Sequence, residues 1–534
     1  MFKLKVFITI ISVLLSGFLK AQLQMETKSM FGLEAFVAGG DQAPFWFMAN
    51  QEGRWNPVDK NQLISYGAVT LNSNAGKTWR FRAGLELDYS SGDDLVYLHT
   101  GFLRADWKAL SLSVGRHRFS PIFNSNYSGS GSYLFGDNFR PVERITFGIP
   151  AYTKLPILKG RLEVKGEVSH GRLDDGGGFY NHKSVLLHEK YAYLRYDGNR
   201  WKPYAGLNHS VLMGGYRSNG EKIPIDYWPS VFGQKSEIIG SGDATNAGGG
   251  HMGLYDFGLF VETRKARIQF FYQFPFTDTS GLLFWKRNKD QMAGVNIEFK
   301  DNRWIRNLTV EWFNTSYQSG NGTPDAYAIF PDGRFRILPN NVIRASDMDK
   351  LMADLGQSQA TPYTYDEVVD YLRNTFNNGH EFGGRDGYMI NGTYPANWTH
   401  FGMIMGNPLN LTRSQVAVNN PVLGSYTGNY VVNERLKAIH IGGNGMITEN
   451  LQWFMKLTCS LNYGSYFNQY PGRYTWNETV DYYFKGGLNQ AYTLAGLNWD
   501  PCKLHQLSFN ASLSADCGEM YKSFGIKLGS RWCF

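Results

Sequence analysis

Apolar and polar residues alternate with a period of two along several long segments of this chain. Between Trp79 and Tyr89, every odd-numbered residue is apolar and every even-numbered residue is charged or glycine. The same alternation recurs over 161–168, 451–462 and 507–514. Successive side chains of a β-strand point to opposite faces. Each segment therefore predicts a strand with one apolar face and one polar face.

The length of these segments favours a membrane barrel over a soluble β-sandwich. Most run about eight to twelve residues, whereas soluble strands average about five or six and a tilted bilayer-spanning strand needs about nine to eleven. Backbone groups in hydrocarbon must pair internally, which a closed barrel achieves. We therefore predict an all-β fold, a transmembrane antiparallel β-barrel of about 18 strands. A secreted sandwich or lectin-like β protein is the alternative.

Composition excludes several other classes of protein. The 534 residues are 43% hydrophobic and 15% aromatic with only 4 Cys, which excludes a disordered chain and a disulfide scaffold. After residue 19, no run approaches the roughly 20 apolar residues of a spanning helix. The net charge of +7 is small and the basic residues are scattered among acids. We therefore expect no nucleic-acid partner.

Both ends of the chain carry features of an exported barrel. Lys3 and Lys5 precede an apolar segment over 6–15 and a cleavage pattern that ends at Ala21. This predicts a secretory signal peptide over 1–21, with a membrane anchor as the alternative. The alternating carboxy terminus ends in Phe534, with Trp532 in the third-last position. It resembles the signal of bacterial outer-membrane barrels, so we expect the outer membrane as the location and the barrel-assembly machinery as a partner.

Loop lengths predict the orientation of the barrel. If both termini lie in the periplasm, short turns lie there as well and long loops lie outside. We predict an N-terminal periplasmic or plug segment over 22–61 and the barrel over 62–534. The segments 464–487 and 318–397 then lie on the cell surface.

The longer of these loops, 318–397, contains two predicted helices. Ser346 precedes one that ends at Gly356, and Thr364 with Glu367 forms a capping box for the other. A loop of this length with its own secondary structure is usually functional. It is either a plug, a lid that grips a glycan, or a segment packed on the barrel rim.

Motifs for catalysis and for cofactor binding are not found in the sequence. The glycine-rich segment 240–250 lacks the lysine of a phosphate-binding loop and precedes an alternating strand rather than a helix. No nucleophile elbow occurs in a strand-to-helix context, and no C-x-x-C spacing indicates a metal site. We expect a protein that is not an enzyme and that uses no metal and no cofactor.

Clusters of aromatic, amide and charged residues are the candidate binding groups. Aromatic rings stack on the apolar faces of sugars, and planar polar groups bond hydroxyls or carboxylates. We expect polysaccharide contacts at Arg385, Asp386, Tyr388, Asn391, Tyr394, Trp398, Tyr470, Arg473, Tyr474 and Trp476. We expect a polar cluster in the lumen at His188, Glu189, Tyr191, Arg195 and His209. The alternative role for each residue is a hydrogen-bond lattice that stiffens the barrel.

Short motifs along most of the chain resemble the Wzi capsule-assembly family, in the branch found in Bacteroidetes-type bacteria. They include Ala43-Pro44-Phe45-Trp46, Leu187-His188-Glu189-Lys190-Tyr191, Gly206-Leu207-Asn208-His209, Gly384-Arg385-Asp386 and Gly406-Asn407-Pro408-Leu409. The resemblance implies a large, plugged outer-membrane barrel that binds exported polysaccharide as a lectin, without catalysis.

The predicted function is therefore that of an outer-membrane lectin. It binds capsular or other surface polysaccharide and helps its assembly or retention at the cell surface. Its expected partners are that polysaccharide, outer-membrane lipid and the barrel-assembly machinery. The main alternative is a porin for small solutes or oligosaccharides, and an embedded hydrolase of lipid or glycan is a third hypothesis.

Overall fold

The alternating segments form the wall of a closed barrel in a computed structural model of the protein. The barrel has 18 strands, as predicted. The strands, β1 to β18, are Gln24–Gly40, Asn61–Ala75, Trp79–Ser90, Leu95–Trp107, Leu110–Arg116, Glu143–Lys154, Leu162–Leu173, Val185–Tyr196, Trp201–Gly214, Gly250–Glu262, Ala266–Phe276, Gln291–Phe299, Asn307–Asn314, Arg435–Met446, Leu451–Gly464, Leu488–Trp499, Leu507–Gly518 and Ser523–Cys533. Each strand is antiparallel to its neighbours in the wall.

The structure describes residues 24–122, 128–175, 182–217, 219–234, 236, 238–239, 248–277, 289–318, 327–329, 335–337, 345–354, 356–376, 387–394, 396–416, 430–470, 478–501 and 506–534. Within these residues the short helices are α1 Phe45–Met48, α2 Tyr227–Phe232, α3 Ala345–Asp354, α4 Tyr365–Asp370, α5 Arg413–Val416 and α6 Tyr466–Gln469. Single turns of other helix types lie at Leu158–Gly160 and Tyr371–Phe376. None of the helices in this part of the chain is long and apolar enough to cross a membrane.

In the part of the chain that the structure describes, three short strand pairs lie outside the wall. Tyr327–Ile329 pairs with Phe335–Ile337, Thr399–His400 with Met403–Ile404, and Leu411–Thr412 with Val431–Asn433. All of them belong to the chain between β13 and β14. They are small local hairpins or bridges rather than extensions of the barrel.

The first strand closes the barrel. β1 pairs with β2 on one side and with β18 on the other, where Met30 is opposite Cys533 and Phe36 is opposite Lys527. The predicted boundary between an N-terminal segment over 22–61 and a barrel over 62–534 is therefore wrong for 24–40. These residues alternate like the other strands and supply the backbone partners that β18 needs.

The outer face of the wall is apolar and ends in an aromatic girdle. Leu85 and Leu87 on β3 and Leu513 on β17 are exposed on this face. Exposed tryptophans collect at the end of the barrel that holds the chain terminus: Trp79, Trp107, Trp201, Trp304, Trp499 and Trp532. An apolar belt with interfacial aromatic rings is the lipid-facing surface of outer-membrane barrels. The protein is a barrel of the outer membrane.

Connections between strands are short at one end of the barrel and long at the other. At the end with the carboxy terminus they range from 108–109 to seven-residue connections such as 155–161 and 300–306. The opposite end has two short connections, 91–94 and 519–522, and also all the longest ones, which include 41–60, 117–142, 215–249 and 315–434. Short turns are periplasmic in such barrels. The long connections are therefore extracellular, in the predicted orientation.

The largest extracellular connection is longer than the sequence predicted. Residues 315–434 join β13 to β14, so the predicted loop over 318–397 continues for a further stretch before the wall resumes at Arg435. The capping box of α4 is present, because Thr364 Oγ1 accepts from Glu367 N and Glu367 Oε2 accepts from Thr364 N. α3 begins at Ala345, which places Ser346 within the helix rather than before it.

A charge on the outer face tests this orientation. Leu513 is 59% exposed near the middle of β17, so Leu513→Arg should lower the free energy of unfolding in lipid vesicles by about 2–4 kcal/mol. Val480→Arg is the control, because Val480 is 84% exposed in an extracellular loop. Equal stability of the two variants in a urea titration would contradict the lipid-facing assignment of β17.

Candidate functional site

The first extracellular loop, 41–60, folds back into the lumen through α1. Phe45 N donates to Asp516 Oδ2 at 2.7 Å, and the Phe45 ring stacks on Tyr492 at 4.3 Å. The Trp46 ring lies 5.3 Å from the ring of His440. These wall residues belong to β17, β16 and β14 and are buried. The aromatic pair that follows Pro44 therefore anchors the loop on the inner face of the wall.

The second loop, 117–142, is held by polar groups of the opposite wall. Ser130 N donates to Glu311 Oε2 at 2.9 Å, and Lys456 Nζ donates to Gly129 O at 2.9 Å. His440 Nε2 lies 2.8 Å from Ser128 O, so this nitrogen carries the proton and donates to the carbonyl. The wall side chains are thus paired with backbone atoms of the loop, as buried polar groups require.

A glycine in the wall permits this close approach. A Cβ atom at Gly442 would lie 2.0 Å from Ser128 O, a backbone atom. The neighbouring Gly443 faces the other side of β14 and has its closest atom at 3.2 Å. A Cβ at Gly442 therefore requires the second loop to shift, whereas a Cβ at Gly443 requires a shift of only a few tenths of an ångström at Asn307, away from that loop.

The third loop is the end of the long connection, over 387–416 and 430–434. Tyr388 Oη donates to Asp290 Oδ2 at 2.7 Å, and Met389 N donates to Glu434 Oε2 at 2.8 Å. Asn407 Nδ2 donates to Gly131 O at 2.8 Å, which joins this loop to the second one. We call the described residues of the three loops, 41–55, 128–142, 387–416 and 430–434, the plug.

The plug contains several residues predicted to bind polysaccharide. Tyr388, Tyr394 and Trp398 are only 2%, 1% and 4% exposed, and Asn391 is half-buried. The three rings pack among the buried apolar side chains of the barrel interior. Their predicted role as surface contacts is therefore corrected, because rings enclosed on this scale have no free face for a sugar.

Other predicted contacts lie elsewhere. Arg385, Asp386, Arg473, Tyr474 and Trp476 lie outside the described residues. Tyr470 is half-buried at the extracellular end, directly after α6. Of the predicted polysaccharide contacts that the structure describes, Tyr470 is the one on the cell-surface loop over 464–487.

An aromatic and polar surface surrounds Tyr470. Its ring is stacked 6.3 Å from that of Tyr466, one helical turn earlier, and the guanidinium of Arg435 lies 3.8 Å from the Tyr466 ring centre. Gln469 Oε1 accepts from Arg435 Nη2 at 2.7 Å, and Gln469 Nε2 donates to Glu478 Oε1 at 2.8 Å. We call these five residues the Tyr466 surface.

The sequence contains the signal for this arrangement. Ser465 caps α6 by accepting from Asn468 N at 3.2 Å. The resulting helical turn brings residues four apart onto one face. A Ser-x-x-Asn cap followed by tyrosines at positions 466 and 470 predicts this surface, but Tyr466, Gln469 and Glu478 were not among the predicted contacts.

Part of the predicted lumen cluster does face the lumen. Glu189 Oε2 accepts from Arg144 Nη1 at 2.5 Å, and Tyr191 Oη donates to Glu167 Oε2 at 2.6 Å. The side chain of Arg195 donates to Glu163 Oε2 at 2.7 Å and stacks on Tyr152 at 3.8 Å. These groups form a paired lattice on the inner wall of β6, β7 and β8.

Two members of the predicted lumen cluster are on the opposite face. His188 precedes Glu189 and His209 follows Asn208, and each of these neighbours makes buried polar bonds inside the barrel. Adjacent residues of a strand point to opposite faces. His188 and His209 therefore point outward, and the prediction that placed them in the lumen is wrong.

A charged network fixes the first loop to β3 and β4. One side-chain oxygen or nitrogen atom from each of Glu86, Asp88 and His99 lies within 4.8 Å of the corresponding atoms of the other two. Arg54 donates to Glu86 Oε1 at 2.6 Å and to Asp88 Oδ2 at 2.9 Å, which supplies the positive charge. Burial opposes ionisation of Glu52, but its hydrogen bond to His99 and the charge of Arg54 lower its pKa to about 2.

Comparison with known proteins gives similarity at the level of the barrel. No protein-family model matches the chain, and no curated protein matches it. Among solved structures it is similar to Wzi of Escherichia coli, described as a carbohydrate-binding outer-membrane β-barrel involved in group 1 capsule assembly. The identity is 12%, the alignment covers 94% of this chain and 83% of Wzi, and the TM-score is 0.49.

Two further solved structures give similar values. OccK5 of Pseudomonas aeruginosa is 8% identical over 95% of this chain and 98% of its own, with a TM-score of 0.42. OprD of the same organism is 9% identical over 96% of this chain and 95% of its own, with a TM-score of 0.43. Identities this low concern the fold alone.

The plug should loosen as pH rises. Burial raises the pKa of Glu434 to about 7. A carboxyl group whose pKa is higher in the folded state than in the unfolded state contributes its full stabilisation below the unfolded-state pKa. That contribution is lost as the pH rises through the folded-state pKa. Glu434→Gln should therefore remove a decrease in the free energy of unfolding of up to about 3 kcal/mol between low and high pH.

The measurement is the melting temperature of the detergent-solubilised barrel at pH 5.5 and pH 8.5. The parent protein should be less stable at the higher pH, and Glu434→Gln should reduce that difference. Glu221→Gln, which changes an exposed carboxyl in another loop, is the control. A difference that is unchanged in Glu434→Gln would show that this carboxyl does not control the plug.

Proposed function

We propose that the protein is a plugged outer-membrane lectin that holds surface polysaccharide at its extracellular end. The observation that carries the proposal is that the extracellular loops lie in different places. Three of them enter the lumen and bond to its wall, whereas the half-buried Tyr466 surface lies in a different extracellular connection, around α6. We propose assembly or retention of a capsular or other surface polysaccharide as its role.

The chemistry of the Tyr466 surface suits a sugar. The rings of Tyr466 and Tyr470 offer apolar faces for stacking, and Gln469 with Glu478 offers an amide and a carboxylate for hydroxyl groups. Arg435 fixes the position of Tyr466 by stacking on its ring. The motif resemblance to the Wzi family agrees with this proposal, and we propose that binding proceeds without catalysis.

A diffusion channel is the second candidate function. The strand number favours it, because barrels of 16–18 strands leave an aqueous channel when their loops do not fill it. The plug favours the lectin. Electrical conductance distinguishes the two, because a plugged barrel passes little current.

Crowding the plug against the wall should open the barrel. Gly442→Ala places a Cβ against the carbonyl of Ser128, so the second loop must move at a cost of about 1–3 kcal/mol. We expect low conductance of the parent protein in planar bilayers and a higher conductance of Gly442→Ala. Gly443→Ala is the matched control and should resemble the parent. High conductance of the parent protein would favour the porin.

Removing the two rings should weaken glycan binding. Each stacked ring contributes on the order of 1 kcal/mol, so Tyr466→Ala with Tyr470→Ala should lower the affinity at least about tenfold. The measurement is binding of the detergent-solubilised protein to purified surface polysaccharide of its own host. Tyr365→Ala, which removes an exposed ring from α4, is the control. Equal affinity of the double variant and the control would exclude the Tyr466 surface as the binding site.

A further inference from the structure

Part of one extracellular connection folds over the outside of the barrel. The described residues 219–234, between β9 and β10, contain α2. Tyr227 Oη lies 2.9 Å from His170 Nε2, and Lys190 Nζ donates to the carbonyl of Val231 at the end of the helix. Val231 packs on Val211 and Met213. We call residues 226–234, which are α2 and its ends, the external strap.

The strap lies on the outward face of the wall. Val211 is adjacent to Ser210 in β9, and Lys190 is adjacent to Glu189 in β8. The carboxylate of Glu189 is bonded to Arg144 in the lumen. Neighbours in a strand point to opposite faces. The contacts of α2 with Lys190 and Val211 therefore place it outside the barrel, over β7, β8 and β9.

Beneath the strap the outer face is polar, unlike the apolar belt around it. His170 and His188 are 3.2 Å apart through their ring nitrogens, and Lys190 is two residues from His188 on the same face. His209 lies on the next strand and contacts His251 at 3.0 Å. A lysine exposed to lipid near the midplane costs about 2–4 kcal/mol. The strap contacts the exposed His170 through Tyr227 and gives Lys190 a carbonyl partner, and His188 between them is only 3% exposed.

What the strap presents outward is apolar. Trp228 and Phe232 are 63% and 65% exposed, and their rings are stacked at 6.0 Å with an angle of 16°. Toward the periplasm, the same outer face continues with exposed Val168, Leu194 and Leu207. The outward side of α2 is therefore continuous with the lipid-facing belt.

The depth of the strap agrees with contact to lipid. At about 3.4 Å per residue and a tilt of about 40°, Lys190 lies about 13 Å below the extracellular end of β8. The carboxyl end of α2 lies above this level, because Val231 packs on Val211 and Met213, which are about 8 Å and about 3 Å below the extracellular end of β9. The strap therefore lies beside the outermost part of the wall, next to the upper edge of an apolar belt about 25 Å tall.

We propose that the external strap is a membrane-interface element whose Trp228 and Phe232 side chains insert into the outer leaflet. Its occupant is lipid, at the boundary between acyl chains and head groups, where tryptophan is favoured. The strap replaces a polar stretch of wall with an apolar one. It gives the wall at His188 and Lys190 an apolar outer surface that those two side chains do not supply.

The test uses a fluorescent label whose emission reports polarity. The four native cysteines are replaced by serine, and Trp228→Cys or Phe232→Cys is labelled in the otherwise full-length mature barrel. Leu194→Cys is the lipid-facing control and Val480→Cys is the aqueous control. Folding into phosphatidylcholine and phosphatidylglycerol vesicles is checked by heat-dependent gel mobility.

Two quenchers read the result: a nitroxide attached high on the lipid acyl chain, and aqueous iodide. We expect blue-shifted emission at 228 and 232, strong quenching by the lipid nitroxide as at 194, and loss of the iodide quenching seen at 480. Iodide quenching at 228 and 232 as strong as at 480 would overturn the proposal, since the strap would then lie in water. Protection from both quenchers would overturn it too, because the strap would then contact a second copy of the chain.

Discussion

The need to pair every backbone donor and acceptor within hydrocarbon determines most of this structure. An open sheet would leave two edges unpaired in lipid, at several kcal/mol for each unsatisfied group. β1 meets this need by lying between β2 and β18, with Phe31 opposite Trp532 in the closing register. Closure over 18 strands then creates a second problem. A wall of this circumference encloses more space than its own side chains fill.

The plug answers that second problem with loop backbone as much as with side chains. Asp516, Glu311 and Lys456 point inward from the wall, and each is bonded to a backbone atom of a plug loop. A charged inner wall and a folded loop thus satisfy one another, as buried polar groups must. This interdependence explains why Gly442 is needed at one point of contact: the loop approaches so closely that a methyl group would displace it. The helix α6 and its tyrosines are not part of the plug and lie in a separate extracellular connection.

Much of the wall could be predicted from the sequence, because a period of two has one structural meaning when it is sustained. The alternation between Trp79 and Tyr89 and the pattern ending at Phe534 correspond to β3 and β18. The capping box at Thr364 was likewise a local signal with a local outcome. The plug had no such signal. Tyr388, Tyr394 and Trp398 are aromatic residues without periodicity, and only the closed wall decides that they lie inside it.

The alternation of side chains along a strand also explains why His188 points outward. A lumen role for His188 conflicts with its position next to Glu189, and strict alternation would have placed it outside. The external strap then explains how a histidine and a lysine can occupy a lipid-facing strand.

The most direct test of the account is retention of polysaccharide on the surface of the producing cell. Cells that lack the protein should release surface polysaccharide into the medium, the parent protein should restore retention, and the variant without Tyr466 and Tyr470 should fail to restore it at equal abundance in the outer membrane. Normal retention in cells that lack the protein would contradict the lectin account.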